Sequence, residues 1–228
     1  MCNCVTLQAQ LDAAGERLYS PLHATPCTWV DSEAKLQQLR GLLSSVSEFA
    51  IDLECHSYRS YRGFVCLMQI STREQDFLID TLELRSSLHT LNDSFTNPRI
   101  TKVMHGADSD VMWLQRDFGL YLVGLFDTGQ AARTLEHQSF ALAHLLKHYC
   151  GVTANKAFQM ADWRIRPLTE DMYTCVFGAS NRICTLQVLA VRASAQHGGC
   201  GTEIHAYVRF ATGMRERTHT TSSTFMIG

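Results

Sequence analysis

Four carboxylates stand in two close pairs along this chain, Asp52 with Glu54 and Asp108 with Asp110. The first pair lies in an apolar run, Phe49-Ala50-Ile51 before it and Leu53 within it. In an extended strand, residues two apart face the same side. Two carboxylates on one face of a mid-sheet strand carry a high desolvation cost unless something neutralises them. A divalent cation does so. The alternative is an edge strand with both groups solvated, which the apolar neighbours oppose. The second pair follows Met104-His105-Gly106-Ala107. An Asp before a helix suits an N-cap, so Asp108 takes that role. Asp110 then sits in the first turn, where the helix dipole favours an anion, and is the projecting carboxylate. Oxygen donors with no His or Cys cluster beside them suit Mg²⁺ or Mn²⁺. Two such ions, roughly 3.5–4 Å apart, support in-line phosphoryl transfer, one activating water and the other the leaving oxygen. Asp52, Glu54 and Asp110 supply most of that site. A complete one needs a further carboxylate and a general base.

The elements that must position these groups follow from hydrophobic spacing. Residues 1–30 read as an irregular lead-in broken by Pro21 and Pro26. Asp31 or Ser32 caps a helix in which Leu36, Leu39, Leu42 and Leu43 recur at helical spacing. Phe49–Glu54, Val65–Ile70 and Asp76–Asp80 read as strands with short links, an antiparallel meander. Leu84–Leu91 reads as a helix and Ile100–Met104 as a fourth strand. A helix follows from Asp108 to Asp117, closed near Gly119, and Val123–Phe126 is a fifth strand. Leu142, Leu145, Leu146 and Tyr149 mark a last helix over 140–149. Three strands followed by alternating helices and strands imply an α/β fold, a mixed five-stranded sheet with helices on both faces.

Composition narrows the class. The chain has 228 residues, 46% hydrophobic and 18% charged, enough for one domain with a core and outside the disordered range. A net charge of −2 excludes a uniformly basic nucleic-acid coat and leaves a local basic groove open. No apolar run is long enough to span a membrane, and no secretory leader is visible. Nine cysteines with no CxxC pair read as reduced thiols inside the cell. Residues 1–174 hold 15 basic and 20 acidic side chains, whereas 175–228 hold 5 Arg, no Lys and only Glu203 and Glu216. Charge and composition therefore break near residue 175, where a Gly-rich and then Thr/Ser-rich stretch begins.

The quoted motifs resemble the DEDD-type 3′→5′ exonuclease family, of ribonuclease D kind. Phe49-Ala50-Ile51-Asp52-Leu53-Glu54, His56-Ser57-Tyr58-Arg59-Ser60-Tyr61 and Cys66-Leu67-Met68-Gln69-Ile70-Ser71-Thr72 look like its first motif. His105-Gly106-Ala107-Asp108-Ser109-Asp110 looks like its second, with the last Asp as the family's metal ligand. Phe126-Asp127-Thr128 with Ala131-Ala132-Arg133, and Ala161-Asp162-Trp163-Arg164-Ile165-Arg166-Pro167-Leu168, continue the match. Within the family the wording is similar to the exosome-associated exoribonucleases. The resemblance runs from about Tyr19 to Met172, so 31–174 is the exonuclease-like domain. It implies a ribonuclease-H-like three-layer fold, two Mg²⁺ or Mn²⁺ ions, and release of 5′-nucleotides from the 3′ end of single-stranded RNA. It also implies contact with exosome subunits and a place in the nucleus or nucleolus. By resemblance Asp52 bridges both metals, Glu54 binds one and helps to hold the 3′ end, and Asp110 serves the second.

The family pattern then asks for a Tyr-x-x-x-Asp helix. In register, Cys175 stands in the place of the Tyr and Ala179 in that of the Asp. Asp171 lies eight residues before Ala179, about 12 Å along a helix, and Tyr173 is turned by roughly 200° from the required direction. Neither substitutes. The C-terminal part, 175–228, is therefore expected to be a truncated or aberrant, poorly ordered tail.

Other residues divide between a functional and a plain role. Arg59, Tyr61 and Arg62 suit an RNA phosphate path or a solvated turn. Trp163, Arg164 and Arg166 lock a loop or line the RNA path, the first role ranking ahead. Met68 is core or, by resemblance, a base contact beside Gln69, and His105 is a further candidate RNA contact. Asp80 and Asp127 end strands and take turn and cap duties. His144 and His148 have zinc-compatible helical spacing but lack the Glu of HExxH and read as exposed. Three functions fit: a two-metal 3′→5′ exoribonuclease weakened at its third motif, a catalytically inactive RNA-binding or partner-binding module, or a non-functional truncated isoform.

Overall fold

The structure, a computed structural model, describes residues 25–58, 60–153, 158 and 160–176. Arg59, Ala179 and the tail beyond Val176 lie outside the described residues. Six strands form one mixed sheet: β1 Cys27–Val30, β2 Glu48–His56, β3 Phe64–Ser71, β4 Asp76–Asp80, β5 Thr101–Met104 and β6 Leu125–Asp127, in the order β1-β4-β3-β2-β5-β6. The β2-β3-β4 meander is antiparallel, as the short links require, and β1, β5 and β6 add in parallel. The sixth strand corrects the expected five. Cys27–Val30 lies in the stretch read as lead-in, follows Pro26, and pairs with β4 through residues some fifty positions away. No hairpin signal announces such a strand.

Alternation along β2 sorts the two faces. Phe49, Ile51 and Leu53 enter the main core with Leu36, Leu39 and Leu43 of α1 (Glu33–Leu43) and Leu114 and Phe118 of α3 (Asp108–Phe118). Between them, the expected helix over 84–91 is a 3₁₀ turn, Leu88–Leu91, running into the single turn α2, Asn92–Phe95. Leu84, Leu88, Leu91 and Phe95 keep helical spacing and are buried. The backbone is instead drawn into tight turns by side chains bonding nearby carbonyls: His89 Nδ1 lies 2.8 Å from Ser86 O, and Thr90 Oγ1 donates to Ser87 O at 2.8 Å. Gly119 closes α3 at φ 63°, the left-handed cap its sequence position announces.

On the opposite face a second apolar cluster gathers Leu67, Leu78, Trp163, Met172 and Val176, so helix α6 (Glu170–Val176) lies on the side to which Asp52 and Glu54 point. Helices α4 (Thr128–Thr134) and α5 (Leu142–Cys150) pack together through Ala132, Leu145 and Leu146. The layers are those of an α/β ribonuclease-H-like fold. Among the described residues, no helix is long and apolar enough to cross a membrane.

Candidate active site

Asp52 and Glu54 stand on β2, opposite Gln69 and Leu67 of β3. After Leu67 the register shifts: Cys55 pairs with Val65, so Cys66 is the extra residue of a bulge in β3. β2 itself keeps strict alternation. Asp52 Oδ1 accepts from the Leu53 amide at 3.0 Å, and Gln69 Nε2 donates to Glu54 Oε1 at 3.3 Å. Asp110 reaches the same place from the first turn of α3.

These three carboxyls repel one another in a dry setting. Burial pushes Asp52 up to about 6. Burial, then Asp52 and Asp110, push Glu54 up to about 8, against the Gln69 hydrogen bond. Burial, then Asp52 and Asp127, push Asp110 up to about 7. Among the described residues, no lysine or arginine is among the charges acting on them. Among the described residues, no group of three or more His, Cys, Asp or Glu side chains is placed so as to hold a metal ion. In kind, the donors suit a hard divalent cation: three oxygen anions drawn from two elements, on which no cation among the described residues acts.

Helix α6 comes to the same corner. Burial and then the Glu54 carboxyl push the Cys175 thiol up, so Cys175 lies within electrostatic reach of Glu54. Tyr173 turns elsewhere and shares a hydrogen bond with Cys27 of β1.

The remaining candidates take different places. Met68 pairs with Leu53, points into the main core and is 0% exposed, the core position that was one of its two readings. Trp163 is 2% exposed inside the second cluster, the loop-locking place that ranked first for it. Gln69 is buried and spends its amide on Glu54. His105 is half-buried, with Nδ1 2.9 Å from Thr128 Oγ1. Tyr61 is fully exposed, at 104%, and Tyr58 at 79%. His144 stacks on His148 at 6.2 Å, and His137 joins them at 5.4 Å from His148.

The Asp108 cap is also corrected. Ala107 occupies the N-cap of α3 at φ −72°, ψ 3°, a conformation unlike the extended backbone that a side-chain cap needs, and Asp108 is the first helical residue. Asp127 takes up the neighbouring amides instead, besides its expected cap on α4. Asp80 keeps its turn duty through Leu82 N and also grips Arg166. Arg166 is the hub of the 160–168 segment. Its guanidinium bonds both oxygens of Asp80 and the carbonyls of Cys66, Trp163 and Ile165, and lies 5.5 Å over Trp29. The β3 bulge is what turns the Cys66 carbonyl toward it.

Known proteins share this sequence and fold. The 3′-5′ exonuclease family pattern matches residues 27–174. The human protein named "Exosome complex component 10" is 57% identical over 164 residues, 72% of this chain and 18% of that protein. Budding-yeast "Exosome complex exonuclease RRP6" is 54% identical over 144 residues, 63% of this chain and 20% of that one. This chain thus matches about a fifth of the length of these relatives. The crystal structure of the catalytic core of RRP6 from Trypanosoma brucei superposes with a TM-score of 0.79 at 41% identity, covering 88% of this chain and 55% of that one. Escherichia coli RNase D shares the fold at a TM-score of 0.73 and 22% identity, over 80% of this chain and 49% of that one. With the family pattern matched from β1 to α6 and its carboxylates gathered on one face of the sheet, the chain belongs to the 3′-5′ exonuclease family.

Proposed function

We propose that the chain carries an exosome-type 3′→5′ exoribonuclease domain for single-stranded RNA, with its chemistry impaired at the third corner. The gathering of Asp52, Glu54 and Asp110, on which no cation among the described residues acts, carries this reading. The three would hold two Mg²⁺ or Mn²⁺ ions, which supply an activated water and charge neutralisation at the leaving oxygen. In the overall hydrolysis, water adds to phosphorus, the P–O3′ bond breaks, and the products are a 5′-nucleotide and a shortened RNA with a free 3′ hydroxyl. Gln69 orients Glu54, and the 57–63 loop with Tyr58, Tyr61 and Arg62 offers a surface for the strand. Nuclear residence and exosome subunits as partners are part of the same proposal, supported by likeness to the exosome proteins.

A second reading rests on Cys175. A thiol beside Glu54 supplies neither the phenol of the family pattern nor a hard ligand, and each ~1.4 kcal/mol of lost transition-state stabilisation costs tenfold in rate. A catalytically inactive RNA-binding or partner-binding module follows if that loss is complete. The test is a 5′-labelled single-stranded RNA with Mg²⁺ or Mn²⁺, beside an Asp52→Ala control. A ladder shortened from the 3′ end and absent in the control supports the nuclease. Intact RNA retained by folded protein supports the binding module.

A further inference from the structure

Asp127 ends β6 and holds more than the helix after it. Its Oδ1 accepts from the Gly129 amide at 2.8 Å and the Gln130 amide at 3.2 Å, an ordinary N-cap of α4. The same carboxylate accepts from two amides far upstream, Gly106 at 2.9 Å on Oδ1 and Ala107 at 2.8 Å on Oδ2. Gly106 and Ala107 are the last residues before α3, and Asp110 is the third residue of that helix. Gly106 turns through φ 64°, and no side chain at the N-cap fastens the start of α3. Gly129 keeps the space free: a Cβ there would stand 3.2 Å from Oδ1 and 3.4 Å from Gly106 N. A second tie runs alongside, from His105 Nδ1 to Thr128 Oγ1 at 2.9 Å, with that hydroxyl 3.2 Å from Met104 O.

We propose that Asp127 is the positioning residue for Asp110, fixing the loop that launches α3 and so the place where Asp110 meets Asp52 and Glu54. This rests on the reading of those three as a divalent-cation site. Three amides converge on Oδ1 and one on Oδ2, which takes up most of the acceptor capacity of a carboxylate. Asp127 is therefore committed chiefly to the backbone and acts through the loop. A displacement of about 1 Å at a reacting centre can cost a hundredfold, so a loop clamp on the chain leading to a ligand matters to the site.

Mn²⁺ titrated into the full chain, with free ion read by electron paramagnetic resonance, tests the assignment. Asp127→Asn sets an NH₂ against one amide, and the expected result is Mn²⁺ binding weakened at least tenfold. Leu36→Ala, a core cavity behind the other face, is the control for a merely less stable fold and stays within twofold of wild type. Equal weakening in both variants overturns the positioning role. If Asp127→Asn also stays within twofold while Asp110→Asn loses the ion, the positioning role is overturned and the cation site stands. If the wild type takes up no Mn²⁺, or Asp110→Asn binds it unchanged, the cation site falls and this inference with it. Hydrogen exchange gives a metal-free arm: the Gly106 and Ala107 amides should exchange at least tenfold faster in Asp127→Asn, and unchanged protection overturns the proposal. Should that variant fail to fold, Gly129→Ala, which crowds the same carboxylate, takes its place in both arms. Severalfold weaker Mn²⁺ binding is then expected, and wild-type binding overturns the role.

Discussion

Replacing Arg166 with Ala should loosen one corner of the molecule and leave the rest standing. The guanidinium spends all five N–H groups: two on Asp80, one on the Cys66 carbonyl at 2.7 Å, and one each on Trp163 and Ile165 carbonyls at 2.8 and 2.9 Å. The Asp80 side chain is 4% exposed and that of Arg166 22%. Removing one partner of a buried ion pair costs about 3–5 kcal/mol. Asp80 keeps the Leu82 amide at 3.1 Å, and water can reach the arginine side, so the lower end applies, about 3 kcal/mol. With a urea slope of about 2 kcal/mol per molar for a domain of this size, the midpoint falls by about 1.5 M at constant slope. A double-mutant cycle with Asp80→Ala should give a coupling of about 2 kcal/mol, because the two residues share one network. Hydrogen exchange should rise across 160–176, which carries Cys175 to Glu54, while β2 and β3 stay protected. A loss under about 1 kcal/mol, or a coupling near zero, would refute the hub.

Three further outcomes follow from the same coordinates. In EDTA the carboxyls of Asp52, Glu54 and Asp110, raised to about 6, 8 and 7, bind protons more tightly folded than unfolded. Stability therefore falls as pH rises from about 5 to 8; a flat thermal midpoint over that range contradicts the coupling, and Glu54→Gln should flatten it. Lys102 is buried and donates to the carbonyls of Ser94, Asn97 and Ile100, burial pushing its ammonium down to about 7. Lys102→Met relieves a buried charge but strips these carbonyls, and chemical denaturation should show a net loss of about 1–2 kcal/mol. Tyr61→Ala, at a fully exposed site, should leave stability within about 0.5 kcal/mol. If Tyr61 stacks on RNA, binding weakens by about 1–3 kcal/mol in a fluorescence anisotropy titration, and unchanged binding removes it from the strand's path.

What the sequence shows of the site depends on how far apart its parts lie along the chain. Asp52 and Glu54 are legible because strand alternation is local, and Asp110 because the first turn of a helix is local. The same rule places Gln69 and Met68 on opposite faces, so both could not line one groove; alternation alone excludes the pair. The cap of α3 is not legible, since its amides are met by Asp127 from the end of the next strand, some twenty residues on. β1 is hidden for the same reason: its partner is β4, reached only once the meander exists. The Arg166 hub needs the Cys66 bulge, and nothing in Phe64–Ser71 marks which residue is the extra one.

The sheet's outermost strands carry a consequence for life in a crowded solution. β1 has four residues and β6 three, whereas β2 and β3, the longest and most apolar, have nine and eight and lie inside. A strand left at a rim offers its backbone to any passing chain, and short rims offer little. The segments best suited to cross-pairing are thus exposed only while the meander is unmade. Molecules that lose β4 should clump through β3, and those that lose only β1 should stay dispersed.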